Sequence, residues 1–140
     1  QELTMPRFLK QKKVVILLNG RYAGKKAVIL KNFDKADGAH NFGRCLVAGI
    51  ERYPRKVTKR MSNKEKARRS KMKPFVKLVN HNHVMPTRYN LTVDIDQKIV
   101  SIPNLKDPST RRNARSEVKR KLSKRYQSGE NKWFFTKLRF

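Results

Sequence analysis

Acidic residues, cysteine and long apolar runs are all scarce in this sequence. Of its 140 residues only 10 are Asp or Glu and one is cysteine, and its longest uninterrupted apolar run is residues 14–18. A membrane-spanning helix needs about 20 apolar residues, and neither such a span nor the apolar core of a signal peptide is visible. A lone cysteine forms no intramolecular disulfide. We therefore expect an intracellular protein that is not embedded in a membrane.

The few acidic residues also argue against catalysis. They are dispersed, and Asp94 and Asp96, although placed at strand spacing, have no candidate base beside them in the sequence. Neither a nucleophile elbow nor a Cys–His signature is present. With apolar residues at 37%, a deep substrate cleft is not expected. The sequence thus predicts a protein that is not an enzyme and has no cofactor or small-molecule substrate.

A metal site is also disfavoured by the residue types. Cys45, His81 and His83 could supply three ligands, and the two histidines would point the same way in an extended segment. However, the sequence offers no evident fourth ligand and no Cys-x-x-Cys pair. We predict no metal, and expect these side chains to be structural or to stack on bases.

Positive charge is what the chain has in excess. Its 36 Lys and Arg residues give a formal net charge of +26. Repulsion among so many cations opposes compaction unless a polyanion neutralises them. Nucleic acid is the expected partner, and an anionic membrane surface is the weaker alternative. The apolar content supports one small core, so some segments are expected to become ordered only on the partner.

Short apolar runs separated by turn residues predict β-strands. They are residues 14–18, 27–30, 45–48, 75–79 and 91–95. Five short strands at close spacing are typical of a small barrel, so the predicted fold is mainly β.

The first two predicted strands are joined by a loop that contains Gly20 and Gly24. Glycine lets the backbone turn sharply and approach a ligand closely. Arg21, Lys25 and Lys26 would then project towards phosphates. A plain hairpin with solvated lysines is an alternative of equal weight on these residues alone. The spacing of glycine and lysine is not that of a nucleotide-binding loop.

Residues 55–73 interrupt the strand pattern with a basic segment. It holds ten Lys or Arg and one acid, Glu65. Ser62 and Glu65 have the spacing of a capping box, which predicts a short helix at residues 63–70. This helix has almost no apolar face, so we expect an anion to hold it. A nuclear import signal is compatible with RNA binding here, and a solvated charged face is the alternative.

A second helix is predicted at about residues 108–128. Asp107 and Pro108 form an N-terminal cap, Gly129 supplies the left-handed stop, and eight cations accompany one acid between residues 111 and 125. Its narrow apolar stripe recurs every four residues at Ala114, Val118, Leu122 and Tyr126. The stripe can dock on protein while the cationic face meets phosphates. We expect the aromatic tail, residues 132–140, to be packed rather than exposed.

Several aromatic residues could stack on unpaired bases. A chain with modest apolar content also needs aromatics in its core, and we favour that role for most of them. The candidates are Phe8, Tyr22, Tyr53, Tyr89, Trp133 and Phe135.

Longer blocks of sequence resemble a known family. Residues 20–27, with apolar runs on both sides, resemble a KOW motif, which is found in ribosomal proteins and transcription elongation factors. Residues 46–58, 82–89 and 131–140 are similar to the eukaryotic large-subunit ribosomal protein twenty-seven family. The bacterial ribosomal protein of the same number is unrelated.

This resemblance implies a small Src-homology-3-like β-barrel with helical extensions. It also implies a structural role among ribosomal RNA helices of the large subunit, neighbours that are other ribosomal proteins, no catalysis, and a cytoplasmic ribosome reached through the nucleolus. The barrel with its basic insertion would occupy residues 5–100, and the C-terminal helix and tail residues 101–140. Residues 1–4 lie outside the family pattern and are interpreted as an extension or remnant.

The RNA-contacting residues are selected by charge rather than by the resemblance. They are predicted to clamp RNA phosphates from cationic loops and helices. The alternatives are a KOW-type transcription or assembly factor and a simple polycation that compacts chromatin or attacks membranes. The predicted contacts are Arg21, Lys25, Lys26, Arg55, Lys56, Lys59, Arg60, Arg68, Arg69, Lys71, Arg88, Arg111, Arg112, Arg115 and Arg120.

Overall fold

The strands of this chain pair into an antiparallel sheet. A computed structural model describes residues 10–33 and 43–138, and the expectations for residues 1–4, Phe8 and residues 139–140 lie outside these ranges. Within them the sheet has five strands in the order β4-β3-β2-β1-β5. The elements are β1 (Lys13–Leu17), β2 (Lys26–Phe33), β3 (Arg44–Arg52), α1 (Asn63–Arg69), β4 (Lys73–Asn80), β5 (Val84–Asn90) and α2 (Pro108–Gln127).

Four of the five predicted strands are confirmed, and the fifth is wrong. The last strand is β5, whereas residues 91–95 have no regular secondary structure. Leu91 and Ile95 are buried in the core. The N–H of Leu91 still donates to the carbonyl of Lys12 at 2.8 Å, but the paired register of β1 and β5 ends at Asn90, so the alternation of residues 91–95 reflects packing rather than strand pairing. β5 escaped prediction because it is an edge strand with mostly exposed side chains, which removes the apolar signal on which strand prediction depends.

The sheet is strongly curled. Its two edge strands, β4 and β5, are separated in sequence only by the turn His81–His83. In a flat sheet these edges would lie four strand spacings apart, about 19 Å, whereas the connection can reach at most about 14 Å. Val79 of β4 and Val84 of β5 also share one apolar cluster. Within the described residues the ladder is nevertheless not closed between β4 and β5, so the expected closed barrel is not confirmed.

Both faces of the sheet are covered by apolar side chains. Four consecutive residues of β1, from Val14 to Leu17, are buried. Val14 belongs to one core and Val15 and Leu17 to another, because alternate side chains point to opposite faces of the sheet. One core lies inside the curl and contains Val15, Leu17, Ala27, Ile29, Cys45, Val47, Phe75, Val79 and Val84. The other lies under α2 and includes Val14, Val28, Ile50, Leu91, Ala114, Val118, Leu122, Phe134 and Phe135. The core under α2 therefore joins the sheet, α2 and the C-terminal segment.

The two helices begin where their caps predict. The Ser62 side chain accepts a hydrogen bond from the backbone N–H of Glu65 at 3.2 Å. The Asp107 side chain accepts one from the N–H of Ser109 at 3.1 Å. α2 then ends before Gly129, whose φ of +80° is the left-handed conformation expected of a stop.

Gly49 of β3 packs closely against β2 and β4. A Cβ there would lie 2.4 Å from the carbonyl oxygen of Lys26 and 2.7 Å from Cζ of Phe75. Because a backbone oxygen cannot move aside cheaply, we expect Gly49→Ala to lower the free energy of unfolding by about 3 kcal/mol. The matched control is Gly129→Ala, whose Cβ would meet nothing within 4 Å and should cost only about 1 kcal/mol of backbone strain. Urea denaturation of both variants tests this, and equal losses would contradict it.

Candidate nucleic-acid interface

The loop between β1 and β2 presents cations from a tight turn. Gly20 and Gly24 both have positive φ, +85° and +82°, as the sharp turn requires. Arg21 is exposed and donates to a carboxylate oxygen of Glu51 at 3.2 Å. The ammonium of Lys25 lies 5.6 Å from the centre of the Tyr53 ring. This loop therefore stands beside the end of β3, where Glu51 and Tyr53 lie.

Lys26 does not join this cationic surface, although the sequence suggested it. Its side chain is 1% exposed, and its ammonium donates to the carbonyl oxygens of Trp133 and Thr136. The ammonium also lies 3.9 Å from the centre of the Trp133 ring. Lys26 begins β2 with its side chain turned inwards, where it fastens the C-terminal segment to the sheet. It cannot reach a phosphate from this position.

The basic insertion forms a concave site. Arg52, Tyr53, Arg55, Arg68, Arg69 and Lys71 line a cavity of about 420 Å³, here named the basic pocket. Its two walls are tied together, because the N–H of Arg55 donates to the carbonyl of Arg69 at 2.7 Å and Nε of Arg69 donates to the carbonyl of Lys56 at 2.8 Å. The structure thus brings four of the predicted contacts to one site.

The attachment of α1 differs from the sequence expectation. None of its described residues is buried, as predicted, yet protein contacts hold its C-terminal end. Besides the bonds of Arg69, the neighbouring Met72 is 1% exposed within the core under α2. The predicted contacts Lys56, Lys59 and Arg60 lie on the exposed segment that precedes α1.

A second cationic surface runs along α2. Arg111, Arg112 and Arg115 are exposed, while Ala114, Val118 and Leu122 of the same helix are buried in the core. Arg120 is also exposed but donates to Glu117 at 2.8 Å, and this hydrogen bond raises the pKa of the Arg120 guanidinium. Arg120 is therefore partly neutralised within the protein.

Arg88 belongs to a separate aromatic cluster on β5. Its guanidinium lies 5.2 Å from the centre of the Tyr89 ring and donates to the Tyr89 hydroxyl at 3.2 Å. The Tyr89 ring stacks on Trp133 with a 4.4 Å centroid separation. Tyr89 is 38% exposed, and is thus, among the aromatic candidates that the structure describes, the one best placed to meet a base.

Most of the other aromatic candidates serve the core, as the sequence interpretation favoured. Tyr53 and Phe135 are buried. Tyr22 stacks on Phe75 at 4.1 Å. Trp133 is partly buried and packs against the core under α2.

Known proteins similar in sequence identify the family of this chain. Residues 14–140 match the model of the Ribosomal L27e protein family. The chain belongs to the ribosomal L27e family. A large ribosomal subunit protein named eL27B, from Saccharomyces cerevisiae, is 52% identical over 136 residues, which cover 97% of this chain and 100% of the yeast protein. The resemblance drawn from the three sequence blocks is therefore confirmed.

Two of the residues that the sequence disfavoured as metal ligands, His81 and Cys45, have other surroundings in this L27e chain. A ring nitrogen of His81 lies 2.5 Å from the side-chain oxygen of Asn32. Cys45 is buried, and burial raises the pKa of its thiol to about 12. Among the residues that the structure describes, no group of three or more His, Cys, Asp or Glu could hold a metal ion. In the same ranges neither helix is both long and apolar enough to cross a membrane.

The sequence interpretation missed Arg52 as part of the L27e basic pocket. Arg52 ends β3, outside the cation-rich segment 55–73, so counting charges gave no reason to select it. Its neighbour Glu51 is engaged by Arg21 and by Lys73, at 3.2 and 3.7 Å. An isolated arginine at a strand end gives no local signal of a pocket, because the opposite wall comes from α1.

Amide exchange tests how firmly α1 is held. Since α1 buries no residue and is anchored only at its C-terminal end, its amides should exchange much faster than those of β3 in the free protein. Addition of large-subunit ribosomal RNA should slow exchange in α1. Hydrogen-exchange mass spectrometry measures both regions at once, and protection in free α1 equal to that of β3 would contradict this expectation.

Lys26 should give the protein a characteristic pH dependence. Burial lowers its pKa from 10.5 to about 8, so between these values the unfolded chain binds a proton that the folded chain does not. Stability should therefore rise with pH in this window, by at most about 3 kcal/mol. Lys26→Met lacks this group but keeps all others. The difference in unfolding free energy between wild type and variant should grow from pH 8 to 10.5, and a constant difference would contradict the assignment.

Proposed function

We propose that this chain is a structural constituent of the large ribosomal subunit that supports translation by binding and clamping ribosomal RNA. The match to the Ribosomal L27e family over residues 14–140 carries this proposal, and the related yeast protein is named as a large-subunit protein. The same match favours a ribosomal role over a KOW-type transcription or assembly factor.

The distribution of charge supports RNA as the ligand. The apolar residues of β1 and α2 are buried in the two cores. Cations are concentrated in the loop between β1 and β2, in the basic pocket and on the outer face of α2. Arginine engages phosphate through a planar fork of donors. A duplex of RNA has a major groove too narrow for side chains, so contact with the backbone should dominate. We therefore propose recognition of RNA shape rather than of base sequence.

The family membership also suggests the surroundings of the protein. We propose that its neighbours are other proteins of the large subunit, that it works in the cytosolic ribosome, and that it passes through the nucleolus during assembly. We further propose that the curled sheet behaves as a Src-homology-3-like barrel whose edges approach at the turn His81–His83. The two ends of the chain that fall outside the described residues play no part in this proposal.

The salt dependence of RNA binding tests the proposed clamp. Some ten phosphate contacts should give a slope of log affinity against log salt of about −5 or steeper with purified large-subunit ribosomal RNA. Replacing Arg111, Arg112 and Arg115 by Gln should make the slope shallower by about 2 to 3, because each lost phosphate contact removes about 1. A wild-type slope near about −1 would refute clamping.

A further inference from the structure

The basic pocket has a shape and charge that an open cationic surface lacks. We propose that it is a specific site for two converging phosphate groups, at a place where folded RNA brings two stretches of backbone together. This inference rests on the proposed function for the source of its ligand. Beyond RNA binding in general, the inference names one site and the number of phosphate groups that it holds. The site is lined by Arg52, Tyr53, Arg55, Arg68, Arg69 and Lys71.

The charge count calls for more than one phosphate. Five of the six lining residues are cationic, and the described lining contains no carboxylate. A backbone phosphate carries one negative charge, so a single phosphate would leave four cations facing one another. A concave wall focuses their field into the cavity. The volume of about 420 Å³ greatly exceeds the ~30 Å³ of a water molecule, which leaves room for two phosphate groups.

At least one cation of the pocket, Arg69, is oriented before any ligand arrives. Arg69 uses its Nε to bond the carbonyl of Lys56, which fixes the plane of the guanidinium and leaves its terminal nitrogens for an anion. Arg68 and Arg69 lie in the last turn of α1, where the partial negative charge of the helix end stabilises cations. Such preorganisation lowers the entropy lost on binding.

The floor of the pocket is also fixed. Tyr53 is 8% exposed, and its hydroxyl accepts a hydrogen bond from the backbone N–H of Lys26 at 2.7 Å. This bond ties the pocket to the first residue of β2, the same residue whose ammonium holds the C-terminal segment. The pocket is therefore built on the sheet rather than on a loop alone.

The acid that adjoins the pocket in sequence does not neutralise it. Glu51 directly precedes Arg52 at the end of β3. Its carboxylate binds Arg21 and Lys73 instead. The positive charge of the pocket is thus left for an external anion. On α2, by contrast, Arg120 already has Glu117 as a partner within the chain.

The first experiment uses the full chain and inorganic ligands. Pyrophosphate presents two linked phosphate groups and orthophosphate one, and their binding at equal ionic strength is followed by NMR of the arginine Nε–H signals. We expect pyrophosphate to bind at least about tenfold more tightly and to shift the Arg69 signal. Equal affinity for the two ions, or shifts spread evenly over all arginines, would overturn the proposal.

Two matched variants separate the pocket from general charge. Arg52→Gln with Arg68→Gln removes two charges from the pocket without touching the hydrogen bond of Arg69. Arg111→Gln with Arg112→Gln removes two exposed charges from α2. The pocket variant should lose about tenfold or more in pyrophosphate affinity, and the α2 variant about threefold or less. Unchanged circular dichroism shows that both variants are folded, and equal losses would overturn the proposal.

Binding to large-subunit ribosomal RNA then distinguishes a failure of the pocket site from a failure of the proposed function. If wild type fails to bind it with steep salt dependence, the proposed function itself fails. If wild type binds and both double variants lose the same affinity, the proposed function stands and the pocket site fails. An RNA affinity that falls about tenfold more in the pocket variant than in the α2 variant supports the pocket site. A poly-glutamate peptide that displaces pyrophosphate at equal total charge would assign the pocket to carboxylates and overturn the phosphate proposal.

Discussion

Repulsion among 36 cations is the constraint to which the rest of this structure responds. A chain of this kind must bury its apolar residues efficiently, because only a small core opposes the repulsion. It does so by using both faces of one curled sheet, so that consecutive residues such as Val14 and Val15 enter different cores. The loops and helix surfaces then carry the Lys and Arg side chains, and the sheet determines their positions.

Lys26 shows how closely core and charge are connected. Burying an ammonium is costly unless polar groups receive it, and here the carbonyls of Trp133 and Thr136 do so. The same residue supplies the N–H that holds the Tyr53 hydroxyl. One lysine thereby links the C-terminal segment, the start of β2 and the floor of the basic pocket. Its charge contributes to architecture, whereas the neighbouring Arg21 is exposed at the surface.

The cationic face of α2 and the basic pocket differ in how they can contact RNA. The face of α2 is a row of exposed side chains on a helix, suited to a backbone that passes over it. The basic pocket gathers cations from β3, the extended segment before α1, and α1 itself, and hydrogen bonds of Arg55 and Arg69 hold these parts together. A surface of the first kind contributes affinity, and one of the second kind adds selectivity for RNA shape.

The sequence by itself determined the features that depend on neighbours a few residues apart. The caps at Ser62 and Asp107, the glycines of the β1–β2 turn and four of the strands follow from local hydrogen bonding, backbone freedom and apolar runs, and the three family blocks identified L27e. Tertiary structure alone decided three other features. β5 is an exposed edge strand that is recognisable only by its pairing with β1. Lys26 is buried because the distant C-terminal segment covers it, and Arg52 joins a pocket whose other wall is α1. Burial and convergence are set by residues far apart in sequence, and no local pattern encodes them.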